Sequence, residues 1–124
     1  MIRRGWMNAL LASALIGLMS INAAAAELVM FESASCPWCA AWNRDVGIIY
    51  HKTEEGQRAP LRRVEVDTPR PADLRHIEGI VYTPTFVLVE DGQEMGRIIG
   101  YPGEDHFWGL FGDLLRKTEA GAGS

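Results

Sequence analysis

The strongest constraint on the fold is a junction near the start of the chain. Four apolar residues, Leu28-Val29-Met30-Phe31, are followed by Ser33-Ala34-Ser35 and then by Cys36-Pro37-Trp38-Cys39. The apolar run is short and bounded by turn-forming residues, which reads as a buried strand. Pro37 stands where a first helical turn begins, a position that tolerates proline because its missing N–H would have no intrahelical partner. A buried strand therefore hands over to a helix, and the only two cysteines of the chain sit at the handover. Cys36 falls at the helix N-cap and Cys39 inside the first turn.

The rest of the pattern completes a small mixed sheet. Trp42, Val46, Ile49 and Tyr50 follow at helical spacing, although Gly47 weakens that helix by roughly 1 kcal/mol against alanine. Gly56 is expected to end it. Leu61 to Val66 alternates apolar and charged residues, as a half-exposed strand does. Thr68-Pro69-Arg70-Pro71 turns into a short helix, Ala72 to Ile77, closed by Gly79. Thr85 to Val89 is the most strand-like run, and Glu90-Asp91-Gly92-Gln93 reads as a hairpin turn into a strand over Glu94 to Ile99. Phe107, Trp108, Leu110, Phe111, Leu114 and Leu115 form one face of a final helix. Trp42, Trp108, Met30 and Met95 read as core residues, and the three histidines as surface residues. The order β-α-β-α-β-β-α predicts an α/β fold: a four-stranded mixed sheet with flanking helices. Its first two strands are parallel through a right-handed crossover.

The N-terminal segment bears on compartment. Met1 to Trp6 is short and basic, Ala9 to Ile21 is almost wholly apolar, and Ala23 to Ala26 are small. That order is a secretory signal peptide over residues 1–26, cleaved after Ala26. The apolar run falls short of the roughly 20 residues that span a bilayer. The Arg3-Arg4 pair is compatible with general or twin-arginine export. The expected organisation is a domain over residues 27–117 and a flexible tail over residues 118–124. Without Arg3 and Arg4 the chain keeps 10 basic against 16 acidic residues, a net charge of −6. An acidic domain whose basic residues are scattered, apart from Arg62-Arg63, is suited neither to nucleic acid nor to a polybasic membrane contact.

Three chemistries compete for the cysteine pair. A structural disulfide between residues three apart closes a very short loop, worth on the order of 2 kcal/mol, and pins no distant elements together. Zinc would need two more ligands, and His51, His76 and His106 have no ligand-like spacing. A c-type haem site requires histidine after the second cysteine, where this chain has Ala40. A working dithiol explains more residues. At the N-cap, free backbone N–H groups and the positive end of the helix dipole point at the Cys36 sulfur and stabilise its thiolate. Cys36 is then the nucleophile and Cys39 the less exposed resolver. Trp38, between them, is a candidate for partner contact. Thr83-Pro84, at the entrance to the strongest strand, is a candidate substrate loop. A cis peptide there would bring it beside Cys36 and leave the Thr83 backbone open to a substrate strand. Tyr82 and Tyr101 are candidates to flank the dithiol.

Cys36-Pro37-Trp38-Cys39, Thr83-Pro84-Thr85-Phe86, Asp91-Gly92 and Gly100 together resemble the thioredoxin superfamily, over nearly all of residues 27–117. More narrowly, Cys-Pro-Trp-Cys-Ala-Ala-Trp, Ile48-Ile49-Tyr50 and Ala59-Pro60-Leu61-Arg62-Arg63-Val64 resemble the small exported thioredoxins of bacterial sulfur-oxidation (Sox) systems. The resemblance implies a thioredoxin-like fold and a periplasmic thiol–disulfide oxidoreductase without cofactor or metal. Its implied substrate is a protein disulfide or cysteine adduct, with the Sox sulfur-carrier protein as first candidate. Its implied reductant is a membrane thiol transporter of the DsbD or CcdA type, and a monomer is expected. Two positions depart from the superfamily. Met30 stands where a buried aspartate usually serves the resolving thiol, which leaves Glu32, on the same face, as the carboxylate to nominate. Ser35 replaces the tryptophan before the first cysteine, and Cys-Pro-aromatic-Cys also resembles glutaredoxins and periplasmic disulfide isomerases. The alternatives are therefore a thioredoxin-fold binding module or copper chaperone, and a periplasmic oxidant of the disulfide-forming type. Intact mass of exported protein is expected to give a chain starting at Glu27; retention of Met1 would contradict the signal peptide.

Overall fold

The computed structural model describes residues 26–122 of the chain. Residues 1–25, which hold nearly all of the expected signal peptide, lie outside the described residues. The first strand, β1 (Ala26–Glu32), is buried along its apolar run, with Leu28, Val29, Met30 and Phe31 all fully covered. It pairs in parallel with β2 (Leu61–Glu65) and antiparallel with β3 (Thr85–Glu90), and β3 pairs antiparallel with β4 (Gln93–Ile99). The sheet order is β2-β1-β3-β4. The two inner strands are those with continuous apolar runs, as burial on both faces requires.

Alternate residues of the inner strands face two separate cores. Leu28, Met30, Phe86 and Leu88 pack with the two cysteines, Trp42, Phe107 and Phe111. Val29, Phe31, Val87 and Val89 pack with Val64, Leu74 and Ile77 on the other side. The first face carries α1 (Pro37–Trp42) and α3 (Glu104–Ala122). The second is covered by the segment between β2 and β3. There the short helix expected over Ala72 to Ile77 is one 3-10 turn, Ala72–Leu74. Pro71 leads into it, and Leu74 and Ile77 alone of that stretch are buried, so nothing propagates it further.

The long helix expected after Pro37 is broken into pieces. α1 continues as a π-helical turn, Asn43–Gly47, then a 3-10 turn, Tyr50–Lys52, and a second helix, α2 (Glu54–Arg58). Thr53 caps α2, its hydroxyl accepting from the Gly56 amide at 2.9 Å. Gly56 therefore lies inside a helix and does not end one. It is buried against the Tyr50 carbonyl, which a Cβ at this position would strike. The Tyr50 hydroxyl donates to the Ala59 carbonyl at 2.5 Å, and burial holds it well above the usual phenol range.

The hairpin forms on Asp91 and Gly92, both left-handed, at φ 50° and 82°, as a two-residue turn needs. α3 buries Phe107, Phe111, Leu114 and Leu115, with Leu110 at the margin of the stripe. It does not stop at Lys117 but runs to Ala122. Thr118 extends the same face and is buried, its hydroxyl donating to the Leu115 carbonyl at 2.6 Å. Met95, read as core, lies on the edge strand β4 and is 36% exposed. Among the described residues no helix is long and apolar enough to cross a membrane.

Adding a methyl at Gly56 forces backbone against backbone. Gly56→Ala is expected to cost about 3 kcal/mol, lowering Tm by more than about 10 °C. At Gly96 the obstacle is only the Leu114 side chain, so Gly96→Ala should cost about 1 kcal/mol. Thermal melts of the two variants check the order.

Candidate active site

The dithiol is built by the handover from β1 to α1. A turn closes it, with the Cys36 amide donating to the Ser33 carbonyl at 3.3 Å. Cys36 is extended, at φ −95° and ψ 108°, while Pro37 occupies the first turn of α1. The Cys36 carbonyl accepts from the Ala40 amide at 3.1 Å. Its sulfur accepts from the Cys39 amide at 3.0 Å, the bond a serine or aspartate cap usually makes. The first turn carries no acidic side chain to oppose a negative sulfur. Cys36 and Cys39 form a disulfide, with Cα atoms 5.2 Å apart. Cys36 is 8% exposed and Cys39 2%. The sulfur that caps the helix is thus also the more accessible of the two.

Strand register decides what surrounds the pair. Phe31 pairs with Thr85, and Thr85 with Ile99. The segment after β1, the segment before β3 and the segment after β4 therefore leave the sheet at one end. Residues Cys36, Thr83-Pro84 and Tyr101 come from these three segments. The Thr83–Pro84 peptide bond is cis. The Pro84 carbonyl accepts from the Gly100 amide at 2.7 Å, and the Thr85 hydroxyl donates to the Tyr82 carbonyl at 2.6 Å. Pro84 is buried and Thr83 half-buried. Trp38, Val81, Tyr82 and Ile99 are exposed at 63%, 75%, 67% and 60%. Four large apolar side chains at one end of a small sheet are more than scattered surface residues require.

Tyr101 belongs to the same core cluster as both cysteines. Its hydroxyl donates to Asp45 Oδ2 at 2.8 Å, tying the segment after β4 to the π-helical turn after α1. Burial, then the Asp45 hydrogen bond, pushes the Tyr101 phenol up to about 12. Asp45 drew no notice in the sequence, because the pair is 56 residues apart and no local pattern announces it.

The carboxylate nominated in place of the missing aspartate is Glu32. It sits beside the cysteine face, but both its oxygens accept from Arg63 Nη1, at 3.0 and 2.9 Å. Arg63 also donates to Asn43 Oδ1 at 2.8 Å, approaches the Met30 sulfur at 3.7 Å and lies over the Trp42 ring. Glu32 is thus committed to an ion pair joining β1 to β2. Among the described residues no group of three or more His, Cys, Asp or Glu side chains is placed to hold a metal ion.

A family model described as a thioredoxin-like domain matches residues 21–115. The chain belongs to the thioredoxin-like family. With its Cys36–Cys39 pair it is a thiol–disulfide oxidoreductase. Among solved structures, the periplasmic thioredoxin SoxS from Paracoccus pantotrophus is 39% identical. The match has a TM-score of 0.71 and covers 75% of this chain and 98% of that one. The narrower likeness read from the sequence, to thioredoxins of Sox systems, is met by this neighbour. Fasciola hepatica thioredoxin shares the fold at 23% identity, with a TM-score of 0.57 over 73% of this chain and 82% of that one. A comparison with curated proteins finds no significant match.

A sulfur that accepts a helix-terminal amide favours its anionic form. In a Cys39→Ser variant that amide remains, so Cys36 should titrate below the free-cysteine value of about 8.5. The pH dependence of its alkylation measures this; a value at or above that of free cysteine would remove the proposed activation.

Proposed function

We propose that the protein is an exported, periplasmic reductase of protein disulfides or cysteine adducts, with Cys36 as nucleophile and Cys39 as resolver. The observation that carries the assignment of roles is the Cys39 amide on the Cys36 sulfur, at 3.0 Å, on the more exposed of the two cysteines. The reducing direction and the periplasm are supported by the likeness to the periplasmic thioredoxin SoxS.

The reaction follows from the asymmetry. The Cys36 thiolate attacks one sulfur of the partner's disulfide, and the other partner sulfur leaves and takes up a proton. Cys39 loses its proton and attacks Cys36, breaking the mixed disulfide. The partner's second sulfur departs as a thiol, and Cys36–Cys39 is left oxidised. Two electrons have moved to the partner. A membrane dithiol donor of the DsbD or CcdA type then reduces the pair again by the same exchange. A monomer suffices for this cycle, because both sulfurs belong to one helix terminus.

Trp38 and the Tyr82-Thr83-Pro84 loop are the proposed substrate contacts, with Val81 and Ile99 extending the apolar surface. Thr83 contributes its backbone to an extended substrate segment. The signal peptide over residues 1–26 accounts for delivery to the periplasm. The Sox sulfur-carrier protein is the first candidate partner.

Removing the resolver should stop the reaction halfway. In a Cys39→Ser variant expressed in a host with a Sox pathway, a reductant-sensitive covalent adduct should accumulate, and its mass identifies the partner. Cys36→Ser should trap far less. Equal trapping by both variants would contradict the assigned roles, and no adduct from either would favour a binding module.

A further inference from the structure

The loop before β3 is held by a clamp on the face of the sheet away from the cysteines. Arg97, on β4, pairs with Val87, whose side chain belongs to the second core. Its guanidinium donates to the Glu78 carbonyl at 2.9 Å and to the Gly79 carbonyl at 3.3 Å. Two more of its N–H groups donate to Glu94, at 2.6 and 2.7 Å. One planar fork thus holds two successive carbonyls and one carboxylate. Successive carbonyls face the same side only where the backbone is helical in either hand, and Gly79 is left-handed, at φ 73°. The Arg97 and Glu94 side chains are 22% and 29% exposed, so water competes only partly for these bonds. The Arg97 hydrogen bond holds the Glu94 carboxyl below its usual range.

The clamp lies just upstream of the exposed part of the loop. Ile80 packs against the second core, and Val81 and Tyr82 then stand out at the sheet end. Downstream, the Tyr82 and Pro84 carbonyls are held by Thr85 and Gly100. The exposed apolar pair is therefore suspended between two fixed points, one of them Arg97.

We infer that Arg97, oriented by Glu94, is a positioning residue for protein substrates: it sets where Val81-Tyr82-Thr83 stands beside the dithiol. This rests on the substrate role proposed above for that loop. A clamp of this kind governs how a large partner docks and leaves the chemistry at Cys36 untouched. A small disulfide that reaches Cys36 without touching the loop does not sense it.

The test is turnover of insulin disulfides, with dithiothreitol as reductant, beside reduction of hydroxyethyl disulfide. Arg97→Met is expected to raise KM for insulin about fivefold, as loss of a net hydrogen bond would. Its kcat and its rate on the small disulfide should stay within about twofold. Arg97→Lys should behave like Arg97→Met, because one ammonium cannot reproduce the fork. Glu94→Gln should lie between. If Arg97→Met does not fold, Arg97→Lys and Glu94→Gln read the same split between substrates. Equal losses on both substrates would make Arg97 merely structural and overturn the inference, as would full rescue by lysine. Tyr82→Ala separates the two levels. A raised insulin KM in Tyr82→Ala beside a wild-type KM in Arg97→Met overturns the clamp alone. A wild-type KM in Tyr82→Ala overturns the loop's substrate role and the clamp's with it.

Discussion

β1 has no solvent-facing side over its apolar run. Leu28 to Phe31 are covered on both faces and paired on both edges, parallel to β2 and antiparallel to β3. A strand so enclosed has one direction in which to release the chain, and the turn at Ser33 releases it into α1. That fixes the end of the sheet at which Cys36 lies. Because β3 runs against β1, its entrance lies at the same end. Because β4 runs against β3, its exit does as well. The burial of four residues thus determines which three segments can meet at the dithiol.

Within that frame the cysteines acquire different surroundings from one helix terminus. Cys36 lies before the first turn, with a backbone amide on its sulfur, and Cys39 lies inside it among Trp42, Phe86 and Phe107. No acidic side chain is needed to create the asymmetry, since it comes from the unpaired N–H groups that every helix start presents. The position of the missing aspartate is filled by Met30, under an arginine that holds Glu32, Asn43 and the Trp42 ring together. This chain places a cation-centred network there.

Two further polar contacts hold the site from opposite faces. On the cysteine side, Tyr101 binds Asp45 and joins the segment after β4 to the turn after α1. On the other side, Arg97 and Glu94 grip the chain before the loop enters β3. Both contacts start from β4 or from the segment that follows it. β4, one of the two edge strands, thus braces the loops.

Much of this was legible in the residues themselves. The apolar runs, the hairpin turn and the Cys-Pro-Trp-Cys start to a helix are local patterns, and each formed where its pattern stood. The resemblance to a family singled out the Thr83-Pro84 loop, which leaves the sheet at the same end as the dithiol. Gly56 shows the limit of local reasoning. Its residue type signals a helix end, but it is a glycine because the Tyr50 carbonyl packs against it. Thr118 shows the same: it looks like the start of a polar tail, yet it lies on the buried face of α3, one turn beyond Leu114 and Leu115. The sequence alone determined where the strands and the final helix form and which two sulfurs pair, because periodicity and helix capping act over a few residues. Only the tertiary structure decided what stands around those sulfurs. The Asp45–Tyr101, Arg63–Glu32 and Arg97–Gly79 contacts join residues 56, 31 and 18 positions apart, and such partners meet only when the strands align.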